Sequence, residues 1–133
     1  MKNNKKILVV EDDRDINELV SYNLVKEGFE VTSVYDGNDA KETLQLEKFD
    51  IVILDIMLPG LGGFDICKII RSKPAAFNSF IIVVSAKSET QDKLYAHILG
   101  ADCYLTKPFS IEALVGVVRE IDALRNKDFL VRK

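Results

Sequence analysis

The sequence predicts an α/β domain: a parallel sheet of five strands, doubly wound so that helices cover both faces. Three observations predict it. Five short β-rich runs alternate with five stretches of helical periodicity. Each passage between them carries a turn or stop signal. The strands are apolar along their length instead of alternating, so both sheet faces need cover, as parallel sheets with crossover helices provide. Right-handed crossovers then place helices on both sides.

The first strand, β1, is Lys6 to Val10. Ile16, Leu19, Val20 and Leu24 follow at helical spacing as α1, which Gly28 should cap. Phe29 to Val34 reads as β2; "DGNDA" turns the chain into α2, which runs to about Glu47, and Asp50 to Leu54 is β3. After "LPGLGG", the residues Phe64, Cys67, Ile69 and Ile70 mark the inner side of α3, a helix that must end before Pro74. Phe80 to Val84 is β4. Leu94, Tyr95, Ile98 and Leu99 lie on α4, closed by Gly100, and Asp102 to Leu105 form a short β5. A last helix, α5, runs from about Ser110, its expected N-cap, to Arg125.

A chain of 133 residues is one domain with a real core, here expected over residues 1–126, with 127–133 as a tail or the start of a linker. A net charge of −3 offers no basic footprint and argues against nucleic-acid contact. The opening "MKNNKKILVV" stops being apolar at Val10 and meets three acids, which excludes a signal peptide or membrane span and reads as cytoplasmic. Cys67 and Cys103 lack metal-ligand spacing and read as plain buried thiols.

Ligands of such sheets bind outside the carboxyl ends of the strands, where strand order switches direction. At those ends stand Glu11-Asp12-Asp13 after β1, Asp55 after β3, Ser85-Ala86 after β4 and Lys107-Pro108 after β5. Two carboxylates about 4 Å apart repel by roughly 4 kcal/mol at an effective dielectric near 20, so Asp55 beside Glu11 and Asp12 calls for a cation or a proton. Mg²⁺ is the natural cation, because it takes one or two carboxylates, keeps several waters and accepts a phosphate oxygen. Asp12 and Asp55 would supply the ligands.

The strings "LVVEDD", "ILDIMLPGLGGFD", "VSA" and "YLTKPF", in this order at successive strand ends, resemble the receiver domain of two-component response regulators. The resemblance covers nearly the whole chain and is closest to receivers of winged-helix transcriptional regulators. It implies a flavodoxin-like (βα)5 fold with strand order 2-1-3-4-5. It also implies that Asp55 accepts a phosphoryl group from a sensor histidine kinase or phosphotransfer protein, with Mg²⁺ as cofactor. Asp12 matches the direct metal ligand, Glu11 its water-mediated neighbour, and Met57 the residue whose carbonyl completes the metal shell. Lys107 matches the lysine that pairs with Asp55 and then with the phosphoryl group, and Pro108 the proline joined to it by a cis bond. The amides of Met57 and Ala86 match donors to phosphoryl oxygens. Ser85 matches the switch hydroxyl, and Tyr104 the aromatic that turns inward with it. Such a chain is a switch that catalyses only its own phosphorylation and dephosphorylation.

Simpler readings compete residue by residue. The acids after β1 could serve the first turn of α1 through the helix dipole, and Asp13 or Arg14 is read as just that. Ser85 could be a turn residue and Tyr104 an edge-strand aromatic. His97 reads as solvent-facing, and Gly60, Gly62 and Gly63 as allowing a tight loop beside Asp55. On α5, Ile111, Leu114, Val118 and Ile121 form a stripe that Val115, Val117 and Leu124 widen, as Tyr95 and Leu99 widen α4. This points either to a partner or homodimer contact through α4-β5-α5 or to deeper core packing. The charged set that pairs such receivers is replaced here by Ala113, Val117 and Cys103, so a dimer would be more apolar or use another face.

Three other classes fit less well. An aspartate-based phosphohydrolase would want a second acid where Met57 sits, and a flavin carrier would want a hydroxyl- and glycine-rich loop where β1 is followed by acids. The alternative closest to the first reading is a pseudo-receiver that binds partners without metal or phosphate, a chain expected to lose one of Glu11, Asp12, Asp55 or Lys107.

Overall fold

The computed structural model describes residues 5–73 and 78–131. The elements follow in the expected alternation: β1 (Lys6–Val10), α1 (Arg14–Lys26), β2 (Glu30–Val34), α2 (Gly37–Leu46), β3 (Ile51–Asp55), α3 (Gly63–Ser72), β4 (Phe80–Ser85), α4 (Thr90–Ile98), β5 (Cys103–Thr106) and α5 (Ile111–Val131). All four strand pairings are parallel, in the order β2-β1-β3-β4-β5.

Side-chain alternation along the strands builds two cores. Leu8, Val10, Val52, Leu54, Ile81 and Val83 point to one face, where Ala40, Leu44, Ile66, Ile70 and Ala96 of α2, α3 and α4 cover them. Ile7, Val9, Ile51, Ile53, Ile82 and Val84 point to the other, under Val20 and Leu24 of α1 and Leu114, Val118 and Ile121 of α5. The central strands β1, β3 and β4 are apolar for this reason: nearly every position is buried, whichever way it points, whereas the edge strands β2 and β5 are mostly half-buried.

Several details differ from the sequence reading. The third strand starts and ends one residue later, so Asp55 is its last residue and pairs with Val84 across the ladder. The fourth strand includes Ser85, and the fifth runs from Cys103 to Thr106. On α1, Leu19 is 51% exposed, while Asn17 takes an inward position and is fully buried. Asn17 lies seven residues before Leu24, so it shares that residue's face, and its amide donates to the carbonyls of Glu11 and Val34, each at 3.0 Å. On α4 the inward residue is Ala96; Leu94, Tyr95 and Ile98 are exposed, and Leu99 is half-buried. A small residue at the contact lets the helix sit close to the sheet, which leaves its larger apolar side chains pointing out.

The wide stripe of α5 resolves largely into core packing. Val115 is buried and Val117 packs against the core, whereas Leu124 is 62% exposed. The helix itself runs to Val131, beyond the expected end near Arg125 and into the segment read as a tail. No glycine or proline interrupts it there.

Caps behave as the residues suggest. Asp13 accepts from the amides of Asp15 and Ile16, and Ser110 from that of Ala113. Gly28, at φ 98°, follows the last turn of α1 as a left-handed terminus. Pro74, the expected stop for α3, lies outside the described residues; α3 ends at Ser72.

Candidate functional site

The site sits where strand order reverses, at the carboxyl ends of β1 and β3. Chain direction alone brings its parts together: four parallel strands deliver their carboxyl ends to one edge, and the residues next in sequence become neighbours in space.

Asp55 is 3% exposed. Its Oδ1 accepts from the Met57 amide at 2.8 Å, and its Oδ2 lies 2.8 Å from Lys107 Nζ. That loop turns tightly because of Gly63. A Cβ there would stand 2.4 Å from Ile56 Cα and 2.6 Å from the Asp55 carbonyl oxygen, so only glycine lets the start of α3 come this close. Lys107 reaches back from the far side of β4. Its amide donates to the Ser85 carbonyl at 2.7 Å, and its peptide bond to Pro108 is cis.

Glu11 is also 3% exposed. Its Oε2 accepts from the Asp13 amide at 3.1 Å. The Lys107 ammonium stands 2.7 Å from Glu11 Oε1 as an ion pair, and this buried oxygen accepts no directed hydrogen bond among the described residues. Burial therefore pushes the Glu11 carboxyl up to about 7, the Asp55 charge adding to the rise and Lys107 opposing it. Burial alone would lower Lys107, yet its hydrogen bond to Asp55 and its ion pair with Glu11 outweigh that and hold it above its ordinary value.

One carboxylate oxygen each from Glu11, Asp12 and Asp55 lies within 4.8 Å of the others. Asp12 is exposed and the other two are buried, so the group opens to solvent on one side. This donor set fits Mg²⁺: the ligands are hard carboxylate oxygens, one buried oxygen lacks a donor, and one side is free for water or a phosphate oxygen. A single lysine balances part of three carboxylates.

The expected switch residues are tied together through one backbone unit. Ser85 is fully buried, and its Oγ accepts from the Lys87 amide at 3.1 Å, while the Tyr104 hydroxyl donates to the Lys87 carbonyl at 2.7 Å. Burial raises the Tyr104 hydroxyl above its usual value. Met57 is 55% exposed and Ala86 is exposed, so both side chains stand away from the carboxylates.

The sequence reading did not single out Asn17, whose amide ties the backbone of Glu11 to the end of β2 and so fixes the acidic loop. Its signal was a polar residue on the apolar face of α1. His97 is solvent-exposed, as expected. Cys67 is buried and its thiol is pushed up to about 11, but Cys103 is only half-buried, because β5 is an edge strand.

A doubly wound five-stranded domain whose carboxyl edge carries buried acids and a paired lysine belongs to the flavodoxin-like signalling folds. Residues 7–119 match the response regulator receiver domain, and the chain belongs to that family. Solved structures agree. The receiver domain of the Francisella response regulator 1452 is 34% identical, with a TM-score of 0.80 over 87% of this chain and 94% of that one. The chemotaxis response regulator CheY4 of Vibrio cholerae is 28% identical, with a TM-score of 0.84 over 90% and 99%. DrrB of Thermotoga maritima, an OmpR/PhoB homologue, is 32% identical, with a TM-score of 0.83 over 92% of this chain and 54% of that one. The flavodoxin-like order 2-1-3-4-5 and the receiver resemblance both stand.

Proposed function

We propose that this receiver domain is a phosphorylation-driven switch that accepts a phosphoryl group on Asp55 from a sensor histidine kinase or phosphotransfer protein. The observation that carries this is the triangle of Asp55, Glu11 and Asp12 with Lys107 paired to two of its members, all at one sheet edge. A carboxylate held between an amide and an ammonium is fixed in orientation, as a nucleophile must be.

In the reaction one Asp55 oxygen attacks phosphorus, an O–P bond forms, and the P–N bond of the donor histidine breaks with its electron pair going to the ring nitrogen. Lys107, already 2.8 Å from Asp55 Oδ2, places its charge beside the oxygens where negative charge develops. The Met57 and Ala86 amides supply neutral donors to the same oxygens. Glu11, Asp12, Asp55 and the Met57 carbonyl would hold Mg²⁺, which when bound neutralises charge on the phosphoryl group. The chain turns over no external substrate beyond this transfer and the hydrolysis of its own phosphate.

The output is a change of protein contacts through α4-β5-α5. Ser85 would leave Lys87 for the phosphoryl group, and Tyr104, freed from the same residue, would turn inward. The exposed Leu94, Tyr95 and Ile98 make the apolar half of this face, which suits a partner protein or a second copy. The acidic chain argues against nucleic acid as partner, and no helix among the described residues is long and apolar enough to cross a membrane. We infer a cytoplasmic setting, where kinases of this class present their phosphohistidine.

Beryllofluoride, a phosphoryl mimic, tests the reading; a similar receiver, 33% identical, is described as BeF3-activated DrrB. Fluorine NMR should show Mg²⁺-dependent binding that Asp55→Asn abolishes, and Ile98→Asp should leave binding intact while removing any dimer or partner contact. Binding that survives Asp55→Asn, or none at all, would instead support the pseudo-receiver.

A further inference from the structure

The acidic loop after β1 hangs from a buried amide that takes no part in the transfer chemistry. Asn17 of α1 is fully buried, on the face that carries Val20 and Leu24 into the core. Packing alone would favour a third apolar side chain there. Instead the Asn17 side-chain amide donates to the carbonyls of Glu11 and Val34, each at 3.0 Å, while its backbone amide donates to the Asp13 carbonyl at 2.9 Å. Its Oδ1 accepts from Ser21 Oγ at 3.1 Å, and that hydroxyl lies 2.7 Å from Ser33 Oγ on β2. The Ser21 bond fixes which end of the amide faces the loop, so its donors stay on the two carbonyls.

The Glu11 carbonyl belongs to the peptide unit that leads into Asp12. That unit is planar, so holding its oxygen also holds the Asp12 amide and Cα. Asp12 is the exposed member of the carboxylate group, whereas Glu11 and Asp55 are buried. Its carboxylate is therefore placed by the backbone more than by packing. Resting on the metal reading above, we propose that Asn17 is a positioning residue for the Mg²⁺ site: it sets metal affinity by fixing the peptide that carries Asp12. Mg²⁺ demands near-ideal octahedral geometry, so a loosened ligand costs binding. Groups that orient metal ligands from behind typically change affinity by about 10–100-fold when removed.

Mg²⁺ titration, read by the backbone amide NMR shifts of residues 11–13 and 55–57, gives the affinity without any phosphorylation. Asn17→Ala should raise the dissociation constant about tenfold or more. Its rate of Asp55 phosphorylation by acetyl phosphate should return to within about twofold of the native rate at saturating Mg²⁺, because only metal binding is weakened. Leu24→Ala opens a cavity under the same helix face without touching the loop, so it should lower stability in urea and leave the metal affinity unchanged. If Asn17→Ala does not fold, Ser21→Ala carries the test: it removes only the bond that orients the amide, and the constant should rise about two- to threefold. An unchanged constant in the folded variant, an equal rise in Leu24→Ala, or a rate deficit that persists at saturating Mg²⁺ would overturn the positioning role alone. No Mg²⁺-dependent shift at these amides in the native chain would overturn the metal reading and the proposal together.

Discussion

Both ends of the sheet hold clustered charge, and they treat it in opposite ways. At the amino end of β4 and β5, the Arg71 guanidinium from α3 donates to the carbonyls of Ser79 at 2.7 Å and Gly100 at 2.7 and 3.0 Å and to Asp102 Oδ2 at 2.8 Å. Asp102 Oδ2 also accepts from the Ile81 amide at 2.8 Å. Charge there is matched and its bonds are directed. At the carboxyl end, three carboxylates share one lysine and a buried Glu11 oxygen lacks a donor. Satisfied charge fastens helices to strands; unsatisfied charge leaves oxygens able to take a cation.

Substitutions at the two ends should therefore separate rate from stability. The largest effect is expected for Lys107→Ala, which should slow phosphorylation of Asp55 about 100-fold or more while the fold persists, as judged by adduct mass and circular dichroism. Next, Arg71→Ala should cost about 1–2 kcal/mol in urea unfolding, because it removes the donors to the Ser79 and Gly100 carbonyls, with the phosphorylation rate of the folded fraction unchanged. Equal rate losses at both positions would erase the distinction.

Glu11→Gln sharpens the contrast through pH. The folded-state value of Glu11, raised to about 7 from an ordinary 4.5, means that the folded chain holds a proton the unfolded chain releases. That contribution is complete below the unfolded value and is lost as pH rises through about 7. The metal-free variant should thus be more stable than the native chain at pH 8, by on the order of 1 kcal/mol, and no more stable at pH 4. Mg²⁺ should stabilise the native chain at pH 8 and the variant much less, which thermal melts would show. The smallest effect belongs to Glu27→Gln. Its exposed pair with Arg119 holds the Glu27 carboxyl below its usual range, so the pair's small contribution exists above that range and disappears as pH falls through the lowered value. High salt should remove it too.

The sequence displays the carboxyl end more openly than the amino end. Asp55, Glu11, Asp12, Ser85 and Lys107 each follow directly on an apolar strand, so strand direction alone predicts that they converge. Arg71 meets Ser79, Gly100 and Asp102 across 8 to 31 residues with no shared pattern, and only packing reveals the cluster. Helix faces were legible where large apolar residues point inward, as with Leu114, Val118 and Ile121, and misleading where a small one does, as with Ala96. Asn17 shows in the sequence only as a polar residue on the apolar face of α1, because its partners are backbone carbonyls, which leave no mark on composition. The length of α5 is not legible because no glycine or proline after Arg125 marks an end.

The most direct test of the account is the intact mass of the protein incubated with acetyl phosphate and Mg²⁺, beside Asp55→Asn and a metal-free control. The expected result is a single phosphate adduct that needs both Asp55 and the metal. An adduct that persists in Asp55→Asn, or no adduct under conditions that preserve acyl phosphates, would contradict it.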